Sequence, residues 1–524
     1  MVIGIDLGTT YSAVSYLNED KEPQIIFNRD EETTTPSVVF VDGDDVIIGK
    51  NALKKALQWP EKICRCIKKF MGFREKFLEE KYSPEAISAL ILRRLIEDVI
   101  MRKDENIEGI VVTVPTSFEE SKRMATKDAV IGALRGISER SEEMGSKIKT
   151  VRFIELIDEP IAAALYYSHK CKRKQGRILI YDLGGGTFDA ALADVDGDTV
   201  SIIGKADEHA AGGTFFDDKI MEYVIQYMNE NYRINLLQEK YRSQREAILM
   251  DVENYKKTLS KDGVEEVRIA VSCKHTTYDV VLIRDKFNEL ISPFISHTLD
   301  AIDDMLEREG YEAEEIDEVV LIGGSSKIPY VHTCLKEKFR KELCRDVDPE
   351  KAVTYGAAIC ADSLLNRNAY HTEEIKEQTE GQKETESKKV SLKLADTCTH
   401  SIGILRLNEY TLEKENDILI EENTPIVAEK EREYEAAYDD QTYVKIELTE
   451  AGEVIDEQYF KIPPIKKGTK VIVRIVVNFS HMIEVYIKIP SINFEKQYEI
   501  KSSQNLTEEE QKKLSGLVSS KKIH

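Results

Sequence analysis

Two segments of the sequence place an aspartate, glycines and threonines directly after a β-branched run. The first, residues 2–10, is VIGIDLGTT, and the second, residues 178–187, is ILIYDLGGGT. Glycines let main-chain N–H groups approach phosphate oxygens, threonine hydroxyls add donors, and an aspartate at a strand end can hold Mg²⁺ through water. Two such loops that face each other would clamp one polyphosphate.

A single Asp-Leu-Gly turn is usually an ordinary strand-to-loop connection. Two copies in the same context favour a nucleotide clamp and predict two similar lobes with the ligand in the cleft between them. A third glycine turn follows a strand-like run at residues 321–327. The segment Gly43–Lys50 is not a P-loop, because it has one residue too many before Gly49 and because Asn51 replaces the Ser or Thr that would bind magnesium.

Residues 1–365 alternate β-branched runs with amphipathic stretches, which predicts α/β lobes. Helices are predicted over Pro84–Arg102 and Asp285–Glu309. Residues 366–389 contain 11 charged and three apolar residues among 24, so they cannot build a core and are predicted to form a mobile tether.

Beyond the tether the apolar period shifts towards two, as in Lys470–Ile475 and Ile483–Ile489. The predicted units are therefore an α/β domain at 1–365, a tether and linker at 366–396, a β domain at 397–503 and a short helix at 504–524. Thr507–Glu510 has the pattern of a helix start.

The composition excludes several classes of protein. The 73 basic and 96 acidic residues give a net charge of −23, which argues against non-specific binding to nucleic acid or anionic membranes. No run reaches the length of about 18 apolar residues that a membrane span needs. The eight cysteines form no CxxC pair, and a strand-like run begins at Val2, so a cytoplasmic protein is expected.

With these motifs the chain resembles the 70-kDa heat-shock protein chaperones of the actin-like ATPase superfamily. The resemblance rests on residues 4–12, 158–164 and 181–189, and on residues 111–115 together with 125–129. It implies a two-lobed α/β actin-like ATPase domain followed by a small all-β sandwich that binds peptides.

The resemblance also implies functional residues. Lys68 matches a lysine that contacts the γ-phosphate, and Glu159 matches a carboxylate beside the attacking water, with Asp182 and Thr187 completing the catalytic set. Asp6, Asp182 and Asp189 would hold Mg²⁺, mostly through water. The implied nucleotide-binding residues are Gly8, Thr9, Thr10, Tyr11, Gly184, Gly185, Gly186, Gly212, Gly213, Glu253, Lys256, Lys257, Ser260, Gly323, Gly324, Ser325, Lys327 and Glu350.

The sequence departs from the family pattern in three places. Lys257 and Lys327 stand where arginine is common, and an ammonium cannot stack on adenine as a guanidinium does, so weaker nucleotide binding is expected. The stretch between Lys68 and Pro84 is short, which predicts a trimmed outer subdomain. In the linker at 390–396, Lys393 and Ala395 replace leucines, which predicts attenuated coupling between the domains.

By position, the peptide groove would be lined by Ile404, Leu407, Ala437 and Val444. Plain core packing of these residues is the alternative. Residues 502–510 resemble the start of a helical lid, and the sequence reaches His524 before a full lid, so fast peptide exchange is expected.

The resulting hypothesis is an ATP-dependent chaperone that uses ATP/ADP and Mg²⁺, with K⁺ as a further candidate cation. Its implied partners are unfolded polypeptides, J-domain co-chaperones and nucleotide-exchange factors. Binding to nucleic acid or to membranes is not expected. One alternative is a lidless co-chaperone that senses nucleotide without gripping peptides. A sugar or acetate kinase is a third hypothesis, against which stand Lys68, Glu159 and the appended β domain.

Overall fold

The computed structural model describes residues 1–171, 175–197, 199–273, 276–377, 393–398, 400–407, 414–422, 424–499 and 506–524. Over these ranges, no helix combines the length and the apolar character needed to cross a membrane.

The first lobe is built around the strand that carries the first glycine loop. Its elements are β1 (Val2–Asp6), β2 (Tyr11–Leu17), β3 (Pro23–Ile25), β4 (Thr35–Pro36), β5 (Val38–Asp42), β6 (Asp45–Ile48), α1 (Lys50–Lys55), β7 (Ile63–Arg65), α2 (Pro84–Arg102), β8 (Gly109–Val114), α3 (Glu120–Arg140), α4 (Glu142–Ile148), β9 (Phe153–Asp158) and α5 (Glu159–Lys170). The main sheet has the order β3-β2-β1-β8-β9, with β4 paired to β2. Ser83 begins α2 as its N-cap and Pro84 takes the first helical position, as the sequence predicts.

The second lobe repeats this arrangement. Its elements are β10 (Gln175–Leu183), β11 (Phe188–Asp196), β12 (Thr199–Glu208), α6 (Gly213–Tyr232), α7 (Arg242–Leu259), β13 (Glu266–Cys273), β14 (Thr276–Ile283), α8 (Arg284–Glu309), β15 (Glu318–Ile322), α9 (Pro329–Phe339) and α10 (Ala352–Glu377). In both lobes the strand that ends in Asp-Leu-Gly pairs antiparallel with the next strand, β2 or β11, and parallel with a later one, β8 or β15. The duplicated lobes predicted from the two motifs are therefore present.

Helix α10 follows the second lobe in the chain and packs against the first lobe. It packs so closely on β1 that a Cβ on Gly4 would lie 2.2 Å from the main-chain nitrogen of Ala358. The helix continues to Glu377, past residue 365 where the first domain is predicted to end and the tether to begin. The domain boundary itself stays a prediction. A charge-rich stretch extends a helix here because its first turns are anchored in the apolar layer between α5 and β1. The rest of the predicted tether, 378–389, lies outside the described residues.

The C-terminal region is a pair of antiparallel sheets that enclose one apolar core. Its strands are β17 (Ile402–Leu407), β18 (Lys414–Ile420), β19 (Ala428–Glu435), β20 (Gln441–Glu450), β21 (Glu453–Ile465), β22 (Lys470–Val477), β23 (Ile483–Ile489) and β24 (Phe494–Glu499), which follow β16 (Lys393–Ala395). The sheet orders are β18-β17-β20-β21 and β19-β22-β23-β24. Alternate residues of β22 and β23 are buried, as the period-two pattern predicts.

The end of the chain belongs to the first lobe. Helix α11 (Glu508–Ser520) lies against α2 and α3, and β25 (Lys522–Ile523) adds to the sheet β25-β6-β5-β7. The short helix predicted at 504–524 is thus present from Glu508, while residues 504 and 505 lie outside the described part of the chain.

The predicted linker joins the second lobe as an added strand. Lys393–Ala395 pair in parallel with Thr199–Ser201 of β12, and residues 390–392 are not described. At the next position, Asp396 lies 2.8 Å from the Lys205 ammonium and 2.8 Å from Nε2 of His481. Lys205 also lies 3.1 Å from Asp158, so one buried ion cluster joins both lobes, the linker and the β domain.

A second contact between the domains buries two carboxyl groups. Glu120, at the start of α3, is 3% exposed. Burial and the nearby charge of Glu450, which ends β20, raise the pKa of Glu120 well above its ordinary value, whereas Arg123 and Lys127 lower it. Burial also raises the pKa of Glu450. A carboxylate in this position is costly, so the docked domains favour the protonated form.

We expect the substitution Glu120→Gln to strengthen docking of the β domain at neutral pH. A raised pKa in the docked state means that this carboxyl group stabilises docking at acid pH and loses that contribution as pH rises through the raised value. Each pKa unit corresponds to about a tenfold change in the docking equilibrium. Hydrogen exchange of β23 and of the start of α3, measured between pH 6 and pH 9, should show slower opening in the variant than in the wild type, by about tenfold at the alkaline end.

The exposed neighbour Glu119 supplies the matched control. Glu119→Gln removes the same charge from an exposed side chain and should change the exchange rates much less than Glu120→Gln does. Equal effects of the two substitutions would show that the burial of Glu120 does not oppose docking.

Candidate functional site

The two glycine loops face each other across a cleft between the lobes. A cavity of about 520 Å³ lies between them. The loops nearly touch, since a Cβ on Gly185 would lie 2.6 Å from Oγ1 of Thr10 and a Cβ on Gly186 would lie 2.5 Å from Oγ1 of Thr9. The glycines and threonines of both repeats therefore line the same small volume.

The cleft floor concentrates carboxyl groups from both lobes. Burial and the charge of Glu159 raise the pKa of Asp6 to about 7, although Lys68 and a hydrogen bond from Thr113 lower it. Burial followed by the same glutamate raises the pKa of Asp182 well above its ordinary value. Because like charges in a buried site repel, this floor favours a cation.

Asp189 stands just behind the second loop. Burial, then the charges of Glu159 and Asp207, raise its pKa to about 8. The carboxylate accepts hydrogen bonds from the main-chain N–H of Thr116, at 2.8 Å, and from the hydroxyl of Thr187, at 3.0 Å. It thus orients the threonine that ends the second loop.

Lys68 reaches the cleft from a single 3-10 turn, Ile67–Phe70, that follows β7. Cys66 precedes this turn in a left-handed conformation, with φ 55°. The Lys68 side chain is 5% exposed and forms an ion pair with Glu159, the first residue of α5. The implied γ-phosphate lysine and the implied water-binding carboxylate are therefore in direct contact.

The start of α6 supports the second loop. The main-chain N–H of Gly213 donates to the carbonyl of Gly184 at 3.0 Å, and Oγ of Ser325 donates to the same carbonyl at 2.9 Å. The Lys256 ammonium lies 2.7 Å from the carbonyl oxygen of Gly213 and 2.8 Å from Asp217. These contacts tie the third glycine turn and α7 to the phosphate loop.

Charged and aromatic side chains surround the outer part of the cavity. The Tyr11 hydroxyl donates to Glu253 at 3.1 Å, and Lys257 lies 2.8 Å from the other oxygen of that carboxylate. The Lys257 ammonium also stands 4.9 Å from the centre of the Tyr11 ring. Lys327 forms a similar pair with Glu350, at 3.1 Å. Both lysines that stand where arginine is common, Lys257 and Lys327, therefore pair with a carboxylate.

The structure brings nearly all of the nucleotide-site residues implied by the resemblance to this cavity. The lining residues among them are Asp6, Gly8, Thr9, Thr10, Tyr11, Lys68, Glu159, Asp182, Gly184, Gly185, Gly186, Thr187, Gly213, Glu253, Lys256, Lys257, Ser260, Gly323, Gly324, Ser325, Lys327 and Glu350. Gly212 and Asp189 lie just outside, where Gly212 packs behind Gly186. Among the charged lining residues, sequence reasoning missed Asp217 and Lys261. Asp217 follows Gly213 by one helical turn, a spacing that could have identified it.

Of the four residues implied for peptide binding, the structure describes the side chains of three, and these differ in exposure. Ile404 and Val444 are buried in the core of the sandwich, at 4% and 6% exposure, in agreement with the core-packing alternative. Ala437 is exposed, and its N–H donates to the Gln441 side chain at 3.0 Å. The side chain of Leu407 lies outside the described part of the structure. The groove assignment stays a prediction.

The donor set of the cleft floor fits a magnesium ion. Asp6 and Asp182 end equivalent strands of the two lobes, and oxygen ligands of this kind suit a small divalent cation that keeps part of its water shell. The pKa values of both groups are raised in the protein alone, so a bound cation would relieve the repulsion between them.

This fold and site define a two-lobed, actin-like α/β protein with a nucleotide-type cleft and an appended β-sandwich. The family model described as Hsp70 protein matches residues 2–79 and 73–522. The chain therefore belongs to the Hsp70 family. Members of this family are ATP-dependent chaperones that bind ATP or ADP with Mg²⁺, unfolded polypeptides, J-domain partners and exchange factors.

We expect Gly185→Ala to weaken nucleotide binding by about tenfold or more, which is about 1.4 kcal/mol. The added Cβ would sit within 2.7 Å of two side-chain atoms of Thr10, so the facing loops must move apart. Isothermal titration with ADP and Mg²⁺ measures the change. Gly184→Ala is the comparison in the same loop, because its Cβ would meet nothing closer than 3.7 Å. An equal loss in both variants would show that loop separation does not limit binding.

Proposed function

We propose that this chain hydrolyses ATP in the interlobe cleft and uses the bound nucleotide to control the binding of extended polypeptide segments by its β domain. The observation that carries the proposal is the pairing of Lys68 with Glu159 at the floor of a cleft whose two walls are repeated glycine loops. A sugar or acetate kinase needs neither this pair nor the sandwich, and the family match covers the sandwich as well.

The residues of the cleft act mainly by positioning and by charge. The loop N–H groups and the hydroxyls of Thr9 and Thr10 hold the phosphates, and Lys68 offsets the charge that develops on the transferred group. Glu159 and Thr187 orient the attacking water. Mg²⁺ bound through water to Asp6 and Asp182 would offset the charge of the phosphate oxygens.

The path from nucleotide to peptide is supported by adjacent residues. Glu159 contacts Lys68, while Asp158, the preceding residue, belongs to the ion cluster with Lys205 and Asp396. The strand β12 in turn carries the linker strand, in the same sheet as the second phosphate loop. A movement of the end of β9 thus acts on the nucleotide site and the linker together.

We expect Lys68→Ala to slow single-turnover hydrolysis about 100-fold or more, while nucleotide affinity changes far less. The charge that Lys68 supplies matters most as the phosphoryl group leaves. Rapid-quench measurement with radiolabelled ATP in excess enzyme reports the chemical step directly. Lys69→Ala is the matched control, because the Lys69 ammonium turns away to the hydroxyl of Thr214, at 2.7 Å. Unchanged hydrolysis in Lys68→Ala would remove this residue from the mechanism.

We expect an unfolded apolar peptide to stimulate steady-state ATPase activity, and Lys205→Met to bring the stimulated rate close to the basal rate. The substitution leaves Asp158 and Asp396 without the buried ammonium between them, a loss of about 3–5 kcal/mol for a buried pair. Lys219→Met, which removes an exposed lysine paired with Glu222, is the control. Absence of stimulation in the wild type, with hydrolysis intact, would favour the nucleotide-sensing co-chaperone.

A further inference from the structure

The segment 506–524 shares the apolar core of the first lobe. Leu514 and Val518 are 5% and 0% exposed, and Leu506 is also buried. All three belong to the same cluster as the buried residues of α2 and α3. These contacts are of the kind that holds a domain core together.

The surface of α3 is shaped for this helix. Gly132 and Gly136 face α11, where a Cβ on Gly132 would lie 2.9 Å from Leu514 and one on Gly136 would lie 2.6 Å from Val518. Side chains at these two positions would hold α11 away. The α3 surface therefore has a groove that α11 fills at close range.

The last residues extend a sheet of the same lobe. Lys522 and Ile523 pair in parallel with Asp45 and Val46 of β6. The main-chain N–H of Lys522 donates to the main-chain carbonyl of Asp44 at 2.8 Å, and that of His524 donates to the main-chain carbonyl of Val46 at 2.9 Å. A strand added in this way fixes the direction and register of the segment.

Two buried arginines of α2, which also pair with Glu97 and Asp98 on their own helix, direct further donors at the segment. Arg93 and Arg94 are each 1% exposed. The Arg93 guanidinium donates to the carbonyls of Val518, at 2.5 Å, and Lys521, at 3.1 Å, and Arg94 donates to the carbonyl of His524 at 2.6 Å. Removal of these acceptors would leave guanidinium donors unpaired in the lobe, at a cost that paired arginines do not have.

Helix α11 has no second apolar face. Its apolar residues at Leu514, Leu517 and Val518 are all turned to the first lobe. The opposite side carries exposed polar or small residues, namely Glu508, Glu509, Lys512, Lys513, Gly516 and Ser520. A helix that covers a peptide groove would need an apolar stripe for the β domain as well.

We propose that residues 506–524 form a permanent part of the first lobe, docked in every nucleotide state, and do not serve as a movable cover for the β domain. The groove on α3, the edge of β6 and the donors of Arg93 and Arg94 form a binding surface for this segment of the same chain. The inference depends on the proposed function only in its reference to nucleotide states.

Hydrogen exchange on the full chain tests the proposal. Amides of α11 and β25 should exchange at equal rates, within about threefold, without nucleotide, with ADP and with ATP, because a change of tenfold requires about 1.4 kcal/mol of differential docking. Protection of residues 184–187 in the same experiment reports whether nucleotide is bound, so a failure of the proposed function is recognised separately. Exchange of α11 that is tenfold or more faster with ADP than with ATP would overturn the proposal.

A pair of substitutions tests the contacts in the nucleotide-free chain. Val518→Asp should release α11 and β25, raise their exchange rates at least tenfold and expose β6. Gly516→Asp adds the same charge two residues away, where a Cβ would meet nothing within 4 Å, and should leave the protection intact. Full protection of the segment in Val518→Asp would show that the groove does not hold it, and the proposal would fail.

Discussion

The repulsion among carboxyl groups at the floor of the cleft is the constraint around which both lobes are arranged. Asp6 and Asp182 lie at the ends of equivalent strands of the two repeats, and burial, followed by the charge of Glu159, raises the pKa of both. Such a cluster persists because each carboxylate is held at the end of a strand buried on both faces, so the lobes cannot separate the charges by local rearrangement. The floor therefore carries negative charge that a cation bound together with a polyphosphate can offset. In the protein alone, the ammonium group of Lys68 offsets part of this negative charge.

The same strand ends connect the cleft to the buried ion cluster between the domains. β9 ends in Asp158, which contacts Arg123 and Lys205, and the next residue starts α5 with its side chain on Lys68. Burial makes each of these pairs sensitive to small displacements, since a buried charge without its partner is far more costly than an exposed one. The linker strand rests on β12, which follows directly from the strands of the second phosphate loop. Two consecutive residues, Asp158 and Glu159, thus belong to the interdomain cluster and to the nucleotide site.

The sequence allowed the repeated strands, the glycine loops and the sandwich to be predicted, because each depends on local patterns: residue types at a strand end, or alternation along a strand. It did not reveal Asp217, whose place in the cavity depends on how α6 meets the second loop. It did not indicate that α10 continues to Glu377, since the charge density after residue 365 suggested a tether and gave no sign that the first turns of this helix are held between α5 and β1. The interdomain cluster was also missed, because Lys205 and His481 are ordinary surface residues by type and become partners only through docking.

The position of α11 shows why an apolar stripe predicts a helix without predicting its partner. Leu514 and Val518 recur at the spacing of one helical turn, which would suit either the β domain or the first lobe. What decides between them lies far away in the sequence: two glycines on α3 and two arginines on α2 that need acceptors. Arg74, within the short stretch between Lys68 and Pro84, contacts Glu510 at 2.9 Å. The short stretch between Lys68 and Pro84 therefore contacts the C-terminal segment, whose single helix and strand also contact α2, α3 and β6. The turn that carries Lys68 packs against α2, the helix whose buried arginines donate hydrogen bonds to this segment.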